Sequence, residues 1–463
     1  MLMRCGLSQI NRTLADNVPA DSVGLGMITR REVLTASVGG IAAAATFSAA
    51  AQAGNGRNIV FIMVDDLLSV AYNRQFGLPI RTPHLNRLMA QGIYFSKAFA
   101  STAVCNPSRT AILSGKNPFK TGVHVNPPHW ERFVDPRATF PGIMAAAGYR
   151  CFLYGKISHF PEHDGPVWEN SGVCIEARGL PHESDDPDRK MVDAAIARLQ
   201  NLRRPTRPWM LMLGLIGPHL PVGQFPELFE LYPKTKIVPQ DWDGDRVARR
   251  CFLERIQRNT FDRFTQIQAN NDMKGFYQRY FADITKMDRD LGRFLDALDA
   301  SGVESTVILA SDHGYHLGSH DAVGKFTLWD EAGRAPLVMR YGGCPAGLVI
   351  SEVVSLLDIG PTILHRVGIA IPQRFDGQSL LPLITDPVNN KRTNGALTTM
   401  GNAVSLRENR YRITRYDLCE EIELFDQEED PYSTTNLAFM PGYETLTNEM
   451  LAKLGARVAE WKL

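Results

Sequence analysis

Four apolar runs constrain the fold of this chain most. Residues 58–64 (NIVFIMV), 150–154, 209–216 and 305–310 carry almost no polar side chain on either alternating face. A strand that is apolar on both faces has to be covered on both sides, and that is the setting of a parallel sheet between helices. Residues 93–100 read as a further strand. Capped or amphipathic helical stretches fall between the runs, at 82–92, 139–147, 188–202 and 276–300. Strands alternating with helices predict an α/β fold with a doubly wound, mostly parallel sheet. Ligand sites in such sheets lie outside the carboxyl ends of the strands. The four runs end in Asp65-Asp66, Gly155-Lys156, Gly217-Pro218-His219 and Ser311-Asp312-His313, so reactive side chains converge on one edge by pattern alone.

The texture changes after Pro382. Residues 404–416 alternate about a turn near Glu408-Asn409, Glu423-Leu424-Phe425-Asp426 adds a short strand, and 444–461 are helical. This predicts a small C-terminal antiparallel sheet with one helix, and a division into 54–385 and 386–463. Residues 160–188 are rich in Pro, Asp and Gly and read as a long loop of the kind that lines a site. Residues 222–272 are mixed and polar, with no assigned element.

The N-terminus reads as an address. Arg30-Arg31 is followed by a mildly apolar Ala/Gly-rich stretch and by Ala51-Gln52-Ala53. That is the pattern of a twin-arginine export signal cleaved near Ala53, with Met27 as a second candidate start after Met1. The apolar stretch is short and weak for a membrane anchor, so the mature protein is expected in the periplasm or outside the cell. Lys+Arg and Asp+Glu both number 50, which speaks against a nucleic-acid partner. There are seven cysteines, and the sequence alone assigns no pairing among them.

The chemistry centres on Val104-Cys105-Asn106-Pro107-Ser108-Arg109-Thr110-Ala111-Ile112-Leu113-Ser114-Gly115. Asn106 and Ser108 are N-cap residue types and Pro107 suits a first turn, which puts Cys105 at or just before a helix N-terminus. Such an end carries unpaired N–H groups and suits an anion. The strand ends offer the rest of a site. Asp65, Asp66, Asp312 and His313 form an oxygen-rich set suited to one hard divalent cation such as Ca²⁺. Lys156 and Lys325 supply positive charge, while His159 and His219 supply protons or hydrogen bonds.

The run from Cys105 to Gly115 resembles the signature of type I sulfatases, and the chain is most similar to their iduronate-2-sulfatase-like branch. Val64-Asp65-Asp66, Gly155-Lys156 with His159, Pro218-His219, Ser311-Asp312-His313-Gly314 and Gly324-Lys325 with Arg334 carry the same resemblance. So do Glu423-Leu424-Phe425-Asp426, Asp430-Pro431 and Asn436-Leu437-Ala438. The fold implied is alkaline-phosphatase-like. The resemblance implies that a maturation enzyme oxidises Cys105 to formylglycine, whose hydrate touches the metal and attacks sulfur. It further implies that Asp65, Asp66, Asp312 and His313 bind Ca²⁺, and that Arg109 and Lys156 stabilise the hydrate. His159 orients the hydrate, and His219 and Lys325 hold the sulfate and protonate the leaving oxygen. The substrate implied is an O-sulfated carbohydrate, with uronate-containing polysaccharides included.

The chain departs from that branch at Gly217, Val222, Ser319 and Asp321-Ala322-Val323, which border the implied substrate pocket. His124, His129 and Trp130 follow the Cys105 helix and are further candidates for substrate contact. Two other readings compete: a relative that uses the same aldehyde on phosphonate monoesters or phosphodiesters, and a carbohydrate-binding relative in which Cys105 stays unconverted.

Overall fold

Strand β1 (Asn58–Val64) lies at the middle of the main sheet, paired in parallel with β5 (Trp209–Leu215) on one side and β6 (Ser305–Ser311) on the other. The computed structural model describes residues 58–70, 77–159, 186–202, 207–239, 259–392, 394–417 and 420–462, and the backbone of 175–178. The export signal, most of the 160–188 loop, His163, Cys174, Cys251 and Cys419 lie outside the described residues.

The remaining strands of the main sheet are β2 (Ile93–Phe99), β3 (Arg150–Gly155), β4 (Ile175–Arg178), β7 (Leu337–Arg340) and β8 (Leu348–Ser355). Their order is β8-β2-β7-β6-β1-β5-β3-β4, and Arg334–Ala335 forms a ninth short strand on β2. All neighbours on the main path are parallel except β7, which runs against both β2 and β6. The chain returns from the end of β6 to β7 without a crossover helix, a connection open only to antiparallel strands.

Alternation along the strands sorts side chains onto two faces. Val60, Ile62, Leu211 and Leu213 pack with α4 (Pro187–Asn201) and α6 (Met273–Ser301) through Val192, Leu199, Phe281 and Leu295. Ile59, Phe61, Met210 and Met212 pack on the opposite face, with α2 (Cys105–Ser114), α3 (Phe140–Ala146) and α7 (Ile359–Arg366). Helix α1 (Pro83–Gln91) adds Leu85 and Leu88 to the first layer. Full burial of such side chains stabilises by about 1.5–3 kcal/mol each.

The stretch 222–272, read as featureless, holds α5 (Asn259–Ala269). Its Thr260 and Phe261 are buried. Phe261, Phe264 and Ile267 recur every three residues, a signal too sparse to stand out among the glutamines and asparagines around it.

Strands β9 (Ala396–Met400), β10 (Ala403–Arg407), β11 (Tyr411–Tyr416) and β12 (Glu421–Asp426) form an antiparallel meander, and α8 (Glu444–Lys462) packs on it through Met450, Leu454 and Trp461. The meander is tied to the segment before α2, because Thr399 N–H donates to Ser101 O (2.9 Å) and Thr398 Oγ1 to Ala100 O (2.8 Å). Residues Asn55–Leu463 form one compact unit. Among the described residues no helix is long and apolar enough to cross a membrane, and Cys105 and Cys344 are free thiols.

Candidate active site

The sheet ladder itself aligns the site. Just past the strand ends, Asp65 N–H donates to Leu215 O (3.1 Å), Lys156 N–H to Gly214 O (3.0 Å) and Asp312 N–H to Val64 O (3.1 Å). Each bond continues the parallel ladder by one residue, so the three side chains leave the same sheet edge side by side. Asp66 turns sharply, with φ +60°. The Tyr280 hydroxyl of α6 holds that turn, donating to Asp66 O (2.6 Å) and accepting Leu68 N–H (3.1 Å).

Helix α2 presents Cys105 as its first residue, after Val104 in extended backbone (φ −138°, ψ 129°). The cap is therefore Val104, which has no capping side chain, and neither Asn106 nor Ser108 fills that role. Both are already inside the helix, and tertiary partners claim their polar groups. Asn106 Nδ2 donates to Val125 O (3.1 Å), Asn126 O (2.6 Å) and Pro128 O (3.0 Å), while Ser108 Oγ donates to Asp312 O. Arg109, one turn on, is fully buried. Its Nε donates to Asp312 Oδ2 at 2.8 Å, and Nη1 donates to Lys156 O. One guanidinium thus links three segments of the site.

Cys105 Sγ lies 3.4 Å from Asp65 Oδ1, 3.4 Å from His313 Nε2 and 2.7 Å from Lys325 Nζ. Lys325 Nζ also donates to Asp66 Oδ1 (2.5 Å), and Lys156 pairs with Asp65. Ligand atoms of Asp65, Cys105, Asp312 and His313 all fall within 4.8 Å of one another, as do those of Asp65, Asp66, Cys105 and His219. Apart from His219, these side chains are almost wholly buried. His219 Nε2 stands 3.9 Å from Asp66 Oδ2 with its side chain 28% exposed, so the site opens toward solvent on that side.

Charge and burial compete here. Burial pushes the Asp65 carboxyl up, but Lys156 and Arg109 hold it well below the usual range. Burial and Asp65 raise the Cys105 thiol, yet Lys325, Lys156 and His313 outweigh them and it falls well below its ordinary value. Burial pushes Asp312 up to about 7 despite Arg109. Asp66 Oδ2 is buried with no hydrogen-bond partner. Three converging carboxylates, one with an orphaned oxygen, fit a hard cation: its charge would offset their mutual repulsion and its open coordination sphere would take the spare oxygen.

Nine of the ten residues expected at the site, Asp65, Asp66, Cys105, Arg109, Lys156, His219, Asp312, His313 and Lys325, thus meet in one contact network. His159 follows three residues after Lys156, half-buried at the end of a described segment. Trp130 is not a surface contact: it is 1% exposed and packs in the core with Val123 and Val134. His124 is exposed beside Phe119, and His129 lies 3.8 Å from Glu131. Sequence reasoning missed Tyr280, Asn106 as a loop anchor, and Thr260, whose hydroxyl donates to Lys325 O. No local pattern marks them, because each acts on a segment far away in the chain.

Residues 57–369 match the family model described as Sulfatase, and residues 318–460 match one described as N-sulphoglucosamine sulphohydrolase, C-terminal. A protein of Formosa agariphila named sulfatase is 29% identical over 447 residues, covering 87% of each chain. Human iduronate 2-sulfatase is 26% identical over 387 residues, covering 68% of this chain and 70% of its own. A protein solved in complex with its substrate D-glucosamine-2-N,6-O-disulfate superposes with a TM-score of 0.72 at 21% identity, over 88% of this chain and 98% of its own.

Proposed function

The chain belongs to the sulfatase family and is a sulfuric ester hydrolase; from that premise we propose that it is an exported enzyme removing O-sulfate esters from a carbohydrate, uronate-containing polysaccharides included. The observation that carries the reading is the placing of Cys105 Sγ 2.7 Å from Lys325 Nζ, beside a buried carboxylate cluster. A sulfate ester is an anion and repels a nucleophile, so cations must surround the point of attack. The names of human iduronate 2-sulfatase and of the disulfated-glucosamine complex support a sugar as the carrier of the ester.

Asp65, Asp66, Asp312 and His313 would hold one Ca²⁺, which supplies Lewis acidity at the sulfuryl oxygens when bound. Conversion of Cys105 by a maturation enzyme would supply an aldehyde hydrate as nucleophile. The chain's own residues do the rest. Arg109 fixes Asp312 and the Lys156 backbone, so the carboxylate set keeps its spacing. Lys156 and Lys325 offset the negative charge that builds on the sulfuryl oxygens. His219, at the open side, holds a proton for the leaving oxygen. Asp65 and Asp66 lift its pKa above the usual histidine value against the opposing effect of burial. His159 orients the nucleophile. Export by the twin-arginine route delivers the enzyme to the periplasm or beyond.

The test begins with the tryptic peptide 98–109 from protein made in its native host. Formylglycine at position 105, together with sulfate release from sugar sulfates, is expected. A free thiol throughout would overturn the mechanism in that host and leave the binding-protein reading. Faster turnover of phosphonate monoesters than of sulfate esters would move the activity to that class.

A further inference from the structure

A cavity of about 330 Å³ lies beside His219, between the N-terminus of α4, the middle of α6 and the turn 216–225. Its size falls in the range of small-ligand sites. Part of its wall is apolar: Pro218, Leu220, Pro221, Phe225 and Met287. The polar part is acidic. Asp188 accepts Ile216 N–H (2.7 Å) and Gly217 N–H (2.8 Å), and Asp283 Oδ2 accepts Gly223 N–H (2.7 Å). Asp283 Oδ1 is buried with no hydrogen-bond partner, on a residue only 4% exposed. Lys286, the cation on this wall besides His219 among the described residues, pairs with Asp186 and with Asp290 (2.6 Å) and lies 4.7 Å over the Phe225 ring. Burial pushes Asp188 and Asp283 each up to about 6, although Lys286 opposes it at both and Arg279 at Asp283.

We propose that this cavity seats the sugar ring next to the scissile sulfate ester, and that it takes a neutral, hydroxyl-bearing ring and rejects one carrying a carboxylate or a second sulfate. The inference rests on the carbohydrate reading above and narrows it. The apolar wall suits the C–H face of a pyranose, and the spare carboxylate oxygen is an acceptor for a ring hydroxyl. An anionic substituent here would face two buried carboxylates, while among the described lining residues Lys286 is already paired and His219 is engaged with Asp66, so like-charge repulsion in a low-dielectric wall opposes it. A uronate, where the polysaccharide has one, then lies outside this cavity.

Asp283→Asn is the decisive variant. The asparagine oxygen can keep the Gly223 N–H, while the cavity side changes from acceptor to donor. The converted wild-type enzyme and the variant are compared on glucose and galactose monosulfates of every ring position, on the matching glucuronate and galacturonate sulfates, and on 4-nitrophenyl sulfate as reference. Wild type is expected to prefer a neutral sugar sulfate to its uronate counterpart. In the variant kcat/KM for that neutral sugar should fall about tenfold further than for 4-nitrophenyl sulfate, the scale of one lost charge-assisted hydrogen bond. Leu220→Trp, which narrows the cavity without touching a carboxylate, should likewise lower neutral-sugar turnover more than aryl turnover. Wild-type preference for uronates, or an equal loss on every probe, overturns the assignment and leaves the carbohydrate reading standing; sugar turnover untouched by both variants does the same. Hydrolysis of 4-nitrophenyl sulfate with no sugar sulfate cleaved overturns the carbohydrate reading itself.

Discussion

Lys325 shows what a single residue contributes here. Its ammonium is almost wholly buried between Asp66 Oδ1 and Cys105 Sγ, and Asp66 and Cys105 raise its pKa well above the usual lysine value against the desolvating effect of burial. Lys325→Ala is expected to lower kcat on 4-nitrophenyl sulfate by about 10²–10³-fold, as for loss of one preorganised charge at a developing anion. An unchanged kcat in a folded variant would remove Lys325 from the chemistry. The residue before it matters for a steric reason. Gly324 has φ +117°, and a Cβ there would come 2.7 Å from Arg263 Nη1. Gly324→Ala is expected to destabilise by about 1–3 kcal/mol and to lower the rate as Lys325 shifts. Thermal melting and steady-state kinetics on the same preparation separate the two effects.

At the scale of elements, the segment from His316 to Trp329 is a small hairpin that carries Lys325. Two-residue strands His316–Leu317 and Val323–Gly324 pair, and His316 pins the loop by binding Ser319 Oγ (2.9 Å) and Thr327 Oγ1 (2.7 Å). His316 is fully buried, and burial lowers its pKa to about 3. The folded state thus binds fewer protons than the unfolded chain between about pH 6.5 and pH 3. Its contribution is complete above pH 6.5 and is lost as the pH falls through that window. His316→Gln removes the titrating group. The variant should be less stable than wild type at neutral pH, yet lose less stability between pH 7 and pH 5 in urea unfolding. Parallel curves for the two proteins would show that another group sets the acid lability.

For the whole molecule, the carboxylate cluster and the buried nucleophile have global consequences. A cation that binds only the folded state stabilises it in proportion to RT ln(1 + [L]/Kd), about 2.7 kcal/mol at a hundredfold excess over Kd. Chelation should therefore lower the melting temperature, and Ca²⁺ should restore it. The triple change Asp65→Asn, Asp66→Asn and Asp312→Asn should abolish that response. Cys105 is 0% exposed in the folded chain. Conversion of this residue must then precede folding: a maturation enzyme added to the unfolded or nascent chain should modify it, and the same enzyme added after folding should not. Mass spectrometry of peptide 98–109 reads both arms.

Much of this protein is determined by local sequence. Apolar runs such as 58–64 have few ways to avoid water, so β1, β5 and β6 and their order of chemistry were readable before any coordinates, as was the C-terminal meander with its helix. The motif residues were equally readable, because Asp65, Asp66, Lys156, Asp312 and His313 sit one or two positions past a strand end and Cys105 and Arg109 lie in one helical run. Tertiary structure decided what contact alone can decide. It turned β7 antiparallel, since the chain returns directly from the site to the sheet. It passed the N-cap of α2 from Asn106 and Ser108 to Val104, since distant carbonyls compete for those side chains. It buried Trp130, drew Tyr280 under Asp66, and opened an acidic cavity beside His219. These outcomes depend on which surfaces meet, and side chains separated by hundreds of residues leave no periodic trace of that meeting in the sequence.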